Sequence, residues 1–277
     1  MSASREVSVI IPSYNQPNAL RLVLEALRHQ TFRDFEVVIT DDGSEPDTEA
    51  MIREFEAESP FPLDFVAQED LGFRKAKALN NGIRLARGRH LLFLDGDCVA
   101  PRRWAERYVN ALRRGYEFCV AGYDILTLEQ TREISLETIR NGEFMQLHPW
   151  HHRLADFAAH WKQRFYILLR TPGRPHMLGG NWAGTRDIIE RVNGFDEKYE
   201  GVGREDSDLR NRLINAGART ISLWHKNFVF HCHHDIDPRR TLPTVIRGPS
   251  DVAYYESRRQ AIECNHGLRE RHQPSTG

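Results

Sequence analysis

Short, wholly apolar runs alternate with amphipathic stretches through the first half of this chain, and few folds accommodate that rhythm. Val7–Ile11 is the first run, followed by the turn residues Pro12, Ser13 and Asn15 and then by Leu20, Val23, Leu24 and Leu27 at helical spacing. Phe35–Ile39 runs into Asp41-Asp42-Gly43-Ser44, and Thr48–Glu58 reads as a helix. Leu63–Ala67 is a third strand candidate and Ala76–Ala86 a third helix. His90–Leu94 is a fourth strand ending in Asp95-Gly96-Asp97, with Trp104–Leu112 a further helix. Buried β-rich runs between amphipathic helices predict right-handed βαβ units, a mainly parallel sheet and an α/β fold. Each polar cluster follows a strand. In such sheets ligands sit outside the carboxyl ends of the strands, so the clusters are expected to converge on one crevice.

The second half is less regular. Residues 130–175 carry helical periodicity through Leu154, Phe157, Ala158, Trp161, Phe165 and Leu168, with many His and Arg. Met177–Gly184 reads as a Gly-interrupted strand, Ile188–Val192 as a short helix, and Asp206–Ala216 as a helix stopped by Gly217. Phe228–Phe230 is a last strand running into His231, and the tail from Arg269 is expected to fray. Three segments follow: a first half over 1–125, a second over 126–240, and a helical tail over 241–277.

Composition narrows the function. A length of 277 residues, 40% hydrophobic and 28% charged, suits one large globular domain rather than a disordered chain. Lys+Arg 38 against Asp+Glu 39 gives a net charge of -1, so no global field recruits nucleic acid, and no nucleic-acid partner is expected. The four cysteines form no CxxC pair, which reads as a reduced, cytoplasmic protein. The N-terminus lacks the pattern of a signal peptide, and no apolar stretch approaches the roughly 20 residues that span a bilayer.

Four constellations carry chemistry. Asp95-Gly96-Asp97 puts two carboxylates around a Gly at the mouth of a buried strand, able to hold a hard divalent cation; an acidic turn is the plainer alternative. Glu205-Asp206, in Gly201-Val202-Gly203-Arg204-Glu205-Asp206-Ser207-Asp208, places acids at a helix start. Capping explains part of that, yet the cluster exceeds what capping needs, and one acid could take a proton from an attacking hydroxyl. His231-Cys232-His233-His234 lacks a second Cys/His pair at zinc-finger spacing, so imidazoles completing a carboxylate site for Mn2+, less aptly Mg2+, fit better. Gly72-Phe73-Arg74-Lys75-Ala76-Lys77 offers backbone N–H groups and cations to a diphosphate at a helix start. Neither G-x-x-x-x-G-K-[ST], nor G-x-G-x-x-G after the first strand, nor G-x-S-x-G occurs.

Together these motifs resemble the family-2 glycosyltransferases of GT-A fold over about residues 7–235. Val7 through Asn15 looks like that family's opening strand and nucleotide loop, Asp41-Asp42-Gly43-Ser44 like its second nucleotide motif, and Asp95-Gly96-Asp97 like its D-x-D. Gly179-Gly180-Asn181-Trp182-Ala183, Val192 through Glu197, and Glu205 through Leu209 further resemble β-1,4-galactosyltransferases and chondroitin-polymerase-type bacterial enzymes. The resemblance implies a Rossmann-like central sheet flanked by helices, with a smaller C-terminal region for acceptor and metal. It also implies an inverting, metal-dependent transfer of a hexose or N-acetylhexosamine from a UDP-sugar to a glycan or lipid-linked glycan.

Residue by residue, Pro12 and Tyr14 would flank the uracil, with Asn15 in the same loop and Asp42 bonded to the uridine. Gly72, Arg74, Lys75 and Lys77 would lie near the diphosphate. Asp95 and Gly96 would border the ribose or metal, and Asp97, His231 and His234 would bind Mn2+ or Mg2+. Gly180, Asn181 and Glu205 would border the donor sugar, and Asp206 would be the base. Val202 stands where related galactosyltransferases carry Trp, and Leu79 where many relatives carry Arg. The basic, aromatic stretch Trp150–Arg174 is expected at the acceptor site, facing the inner membrane surface if the acceptor is lipid-linked; the alternative is a packing helix with Trp161 and Phe165 in the core. A nucleotidyltransferase, or a non-catalytic metal- or glycan-binding module, is the competing reading.

Overall fold

A computed structural model describes residues 5–201, 203–234 and 249–269, the side chains of 249–253 apart. The first half is built from β1 (Val7–Ser13), α1 (Pro17–Arg28), β2 (Phe35–Asp41), α2 (Pro46–Glu56), β3 (Leu63–Ala67), α3 (Lys75–Leu85), β4 (His90–Leu94) and α4 (Trp104–Arg113), with a two-residue β5 (Cys98–Val99) between the last two. Pro17 and Pro46 open their helices where a missing N–H costs nothing. Then come β6 (Phe118–Val120), β7 (Gly122–Ile125), α5 (Leu128–Glu133), α6 (Leu136–Asn141), α7 (Trp150–Leu168), β8 (Asn181–Thr185), α8 (Arg186–Arg191), α9 (Glu205–Asn215), β9 (Thr220–Ser222), β10 (Phe228–His231) and α10 (Pro249–Arg258).

The central sheet has seven strands in the order β3-β2-β1-β4-β8-β6-β9, mainly parallel, with β8 antiparallel to both its neighbours. Both faces are covered, which is why the strands read as unbroken apolar runs. On one side Leu20, Val23, Leu24 and Leu27 of α1 join Val9, Ile11, Val37 and Ile39; on the other Ile10 and Val38 meet Ala76, Leu79 and Ile83 of α3. Each of these Val, Leu and Ile side chains contributes about 1.5–3 kcal/mol on burial.

The β1–β4 register runs only from Val7↔His90 to Ile10↔Phe93, whereas β1 stays paired with β2 out to Ser13↔Asp41. Pro12 therefore stands beyond the last β4 rung, where a strand tolerates a residue with no N–H. Past that point β1 and β4 part at the strand-order switch, and a crevice opens between them.

A second sheet, β5-β10-β7, pairs Phe230 with Val99 and His231 with Cys98. That register brings the late histidine segment beside Asp97. The strands β5, β6, β7 and β9 are too short to leave a periodic signal, and the sequence reading misses them.

Two expectations need correction. Met177–Gly184 is not one strand: Asn181 N donates to Leu178 O at 3.1 Å, so Leu178–Gly180 is a turn and only Asn181–Thr185 pairs. The periodic stretch over 130–175 resolves into several helices, and the alternative of a packing helix over Trp150–Arg174 with Trp161 and Phe165 in the core does not hold. Capping boxes at Thr127/Gln130 and Ser135/Thr138 start α5 and α6, and a 3-10 turn at Glu143–Leu147 precedes α7. In α7 the polar side faces in, through His160 and Gln163, while Trp150, Leu154, Phe157, Trp161, Phe165 and Leu168 are 52–78% exposed. Trp161 and Phe165 are thus not core.

The boundary expected at residue 240 lies outside the described residues, as does the tail beyond Arg269, whose N–H donates to Asn193 Oδ1. Among the described residues no helix is long and apolar enough to cross a membrane. Cys98, Cys119, Cys232 and Cys264 are all buried free thiols.

Candidate active site

The β4 strand ends at Leu94 and delivers Asp95-Gly96-Asp97 to the floor of the crevice, about 650 Å³ of open space lined by Pro12, Tyr14, Asp42, Lys75, Asp95, Asp97 and His234. Lys75, in the first turn of α3, donates from Nζ to Asp95 Oδ1 at 2.6 Å. Burial works against its charge, but Asp95, Asp206 and Glu205 outweigh burial and hold it firmly protonated. A fixed ammonium therefore faces the crevice.

The turn before β8 presses two glycines against two carboxylates. A Cβ on Gly180 would lie 2.3 Å from Asp95 Cγ, and one on Gly179 would lie 2.1 Å from Asp206 Oδ2. Only residues without side chains allow this approach. Asp206, in the first turn of α9, is thereby held close behind the D-x-D segment. Burial first, then the charges of Glu205 and Asp95, push its carboxyl up to about 8 against the opposing pull of Lys75 and Arg210. Its Oδ1 is buried with no hydrogen-bond partner among the described residues. A carboxylate so placed is poised to exchange a proton near neutral pH. Asp208 has a different role: it accepts from Arg212 Nε at 2.7 Å, and Arg212 ties Val192 O and Gly194 O to the helix.

Asp97 Oδ2 lies 3.1 Å from His234 Nε2 and 3.6 Å from His231 Nε2. Burial opposes its ionisation, yet the two imidazoles and Lys75 hold it below the usual carboxylate range. The donor atoms of Asp97, Cys98 and His231 all fall within 4.8 Å of one another. Burial pushes the Cys98 thiol far up, so it stays protonated and donates to Asp97 Oδ1 at 3.4 Å. His233 points to solvent, its N–H on Thr131 Oγ1 at 2.8 Å. Of the three histidines, the structure brings His231 and His234 to Asp97.

Other sequence-selected residues hold the crevice in shape. Asp42 accepts from Gln68 Nε2 at 2.6 Å and from Arg74 N at 2.9 Å. Tyr14 donates to Asp70 Oδ2 at 3.0 Å. Asn15 is turned into its own loop, with Oδ1 on Glu45 N and its N–H on Ser44 Oγ. The Arg74 guanidinium folds back on Glu69 O. Gly72 and Lys77 do not line the crevice.

Asn181, expected at the donor sugar, is instead a fully engaged core bolt. Its Oδ1 accepts from Trp104 Nε1 and Tyr108 Oη at 2.8 Å, and its Nδ2 donates to Gly122 O and Asn227 O. Tyr123 escaped the sequence reading. Its hydroxyl accepts from Gly180 N, and burial among Asp95, Asp206 and Asp97 raises its phenol far above the ordinary value. Only the short alternation Gly122–Ile125 could have flagged it.

A doubly covered, mainly parallel sheet with an acidic, lysine-backed crevice at its switch point is a GT-A fold. Solved structures share that fold: the mannosyltransferase PcManGT from Pyrobaculum calidifontis in complex with GDP-Man and Mn2+ superposes with TM-score 0.60 at 23% identity, covering 85% of this chain and 59% of that one. S. aureus TarS 1-349 in complex with UDP-GlcNAc superposes with TM-score 0.63 at 16% identity, covering 90% and 64%.

The chain belongs to Glycosyl transferase family 2, whose pattern matches residues 8–192, and residues 171–235 match the N-terminal domain of galactosyltransferase. Chondroitin synthase of Escherichia coli is 28% identical over 76% of this chain, and validoxylamine A glucosyltransferase of Streptomyces hygroscopicus subsp. jinggangensis 33% over 75%. The chain spans 32% and 51% of the lengths of those two relatives. The uncharacterized glycosyltransferase YfnE of Bacillus subtilis is 35% identical over 86% of this chain and 69% of its own length. Membership in this family sets the nucleotidyltransferase and binding-module readings aside.

Proposed function

We propose that the protein transfers a hexose or N-acetylhexosamine from a UDP-sugar to a hydroxyl of a glycan or lipid-linked glycan, with inversion and with a divalent ion at Asp97. The observation that carries this is the convergence of Asp97, His234 and Lys75 on one crevice, with His231 beside Asp97 and Asp206 packed against the Gly179 turn close to Lys75 and Asp95. The UDP-GlcNAc reported for TarS and the GDP-Man and Mn2+ reported for PcManGT support a nucleotide-sugar donor and a borderline ion.

The donor set fits such an ion. A separation of 3.6 Å between His231 Nε2 and Asp97 Oδ2 is too long for a hydrogen bond. Donors about 2.1 Å from one cation stand roughly 3 Å apart, so these side chains need little movement to share it. One carboxylate with two imidazoles suits Mn2+ better than Mg2+. A divalent ion held there supplies charge neutralisation to the departing diphosphate.

The chain's own residues do the rest. Pro12 and Tyr14 flank the base and Asp42 reads the uridine. Lys75 exchanges Asp95 for the diphosphate as charge builds on it. Asp206 takes the proton from the acceptor hydroxyl as its oxygen bonds to the anomeric carbon. The bond from that carbon to the β-phosphate oxygen breaks on the opposite face, and UDP leaves with the electron pair. This single displacement inverts the configuration. A panel of UDP-sugars with Mn2+, read by thermal shift and by slow donor hydrolysis, tests the donor class. The true donor is expected to add about 2.7 kcal/mol at a hundredfold excess over Kd. No stabilisation and no UDP release across the panel, with GDP-sugars active instead, overturns the UDP assignment.

The outward face of α7 extends this reading. Its apolar stripe is bordered by exposed Arg153, Lys162, Arg164 and Arg170. An aromatic stripe edged with cations matches an anionic lipid surface, where a lipid-linked acceptor is presented.

A further inference from the structure

A second cluster of ligand-type side chains lies apart from the crevice. Asp124 sits on β7 next to Tyr123, and alternation along the strand sends its carboxylate to the opposite face from the tyrosine whose hydroxyl accepts from Gly180 N. There it meets His148 and His152, one before the Pro149 turn that starts α7 and one in the first turn of that helix. His148 Nδ1 is 2.7 Å from Asp124 Oδ2, and His152 Nδ1 is 3.2 Å from Oδ1 and 3.3 Å from Oδ2. One donor atom from each of the three falls within 4.8 Å of the others.

We infer that Asp124, His148 and His152 form a binding site for a borderline transition-metal ion of the Zn2+ class, separate from the catalytic ion and clamping the start of α7 to the small sheet. Three features carry this beyond a chance ion pair. Two imidazoles offer the same nitrogen, Nδ1, to one carboxylate, whereas a simple ion pair needs one. Nitrogen and oxygen donors in this ratio select Zn2+ over Mg2+ or Ca2+. The remaining nitrogen of His148 faces a carboxylate: Nε2, buried and without a hydrogen-bond partner among the described residues, lies 3.3 Å from Asp156 Oδ2, one helical turn beyond His152. A carboxylate in that position stands ready to take the Nε2 proton once Nδ1 ligates, the usual arrangement around a protein-bound metal. His148 itself is 3% exposed and stacks on Phe228 at 3.8 Å, so its ring is held in place before any ion arrives. His152 is 40% exposed and leaves a route in.

Such an ion would fix the N-terminal end of a helix whose inner face is otherwise tied mainly by polar contacts, such as His160 to Ser222 and Gln163 to the His176 N–H. It would set the angle at which the exposed aromatic stripe is presented.

The test uses Zn2+ alone, titrated calorimetrically into the full chain carrying Asp97→Ala and His234→Ala, which disables the first site. One ion per chain is expected, with affinity at least tenfold weaker after His152→Ala and 10–100-fold weaker after Asp156→Asn. In the unaltered chain, where the crevice site is kept, His152→Ala is expected to lower Co2+ uptake from two ions to one and to remove one set of visible d–d bands. Circular dichroism of the metal-free variants checks that the fold is kept. Absence of Zn2+ uptake by the chain lacking Asp97 and His234 overturns the proposal, as does uptake, in either background, that His152→Ala leaves unchanged.

Discussion

Asp206 carries the most exposed claim at the scale of single residues. Its raised carboxyl means that the base form gains ground only as pH climbs through about 8. The proton must be absent for catalysis, so kcat/KM is expected to rise with pH across that region. Stability moves the other way. The folded state holds this proton more tightly than the unfolded chain does, so the group's stabilising contribution is complete below the ordinary value of 3.8 and disappears as pH rises through about 8. Asp206→Asn is therefore expected to lower transfer by ~10²–10⁴-fold while leaving donor binding largely intact. It is also expected to raise Tm relative to the unaltered chain at pH 8 and above. Unchanged turnover with retained binding contradicts the role of base; a lowered Tm contradicts the electrostatic account of its burial. Its neighbour in the reading, Asn181, shows why residue type alone misleads. An Asn after two crevice glycines looks like a ligand contact, yet burial under α4 uses all four of its hydrogen bonds.

Among the elements, α7 departs furthest from what the sequence suggests. Its spacing is that of an amphipathic helix, and periodicity reports the apolar side without reporting which side the fold covers. Here the core side is polar, with burial and the nearby His225, Arg164 and Lys226 holding the docked His160 down at about 4, a neutral ring. The outward stripe is expected to carry the chain to the top of a flotation gradient with vesicles rich in anionic lipid. Trp161→Ala with Phe165→Ala is expected to abolish flotation without a loss of Tm, since both rings are exposed. Flotation unaffected by these changes, or absent throughout, removes the membrane contact. The βα units of the first half were legible to within two residues at their ends, α1 excepted, where only the face Leu20 to Leu27 was read, because both-face burial makes each strand a continuous apolar run. The strands β5, β7 and β10 had no such signal beyond Phe228–Phe230. Yet their pairing brings His231 opposite Cys98; residue chemistry suggested that the late histidines complete a carboxylate site, and only the family resemblance named Asp97 as the carboxylate.

Over the whole molecule, the two halves are interlocked rather than separate. Strand β8 is inserted between β4 and β6, and β10 between β5 and β7, so residues from the second half complete both sheets. The crevice is consequently lined from both: Lys75 and Asp97 from the first half, His234 from the second. Ligand binding across it should tie the halves together and report as stability. The most direct measurement is calorimetric titration of UDP into the chain with and without Mn2+, repeated with Asp97→Ala and with His234→Ala. Mn2+ is expected to tighten UDP binding in the unaltered chain and to have little effect in either variant. UDP binding that is indifferent to Mn2+, or that Mn2+ still tightens fully after Asp97→Ala, contradicts a shared ion beneath the diphosphate.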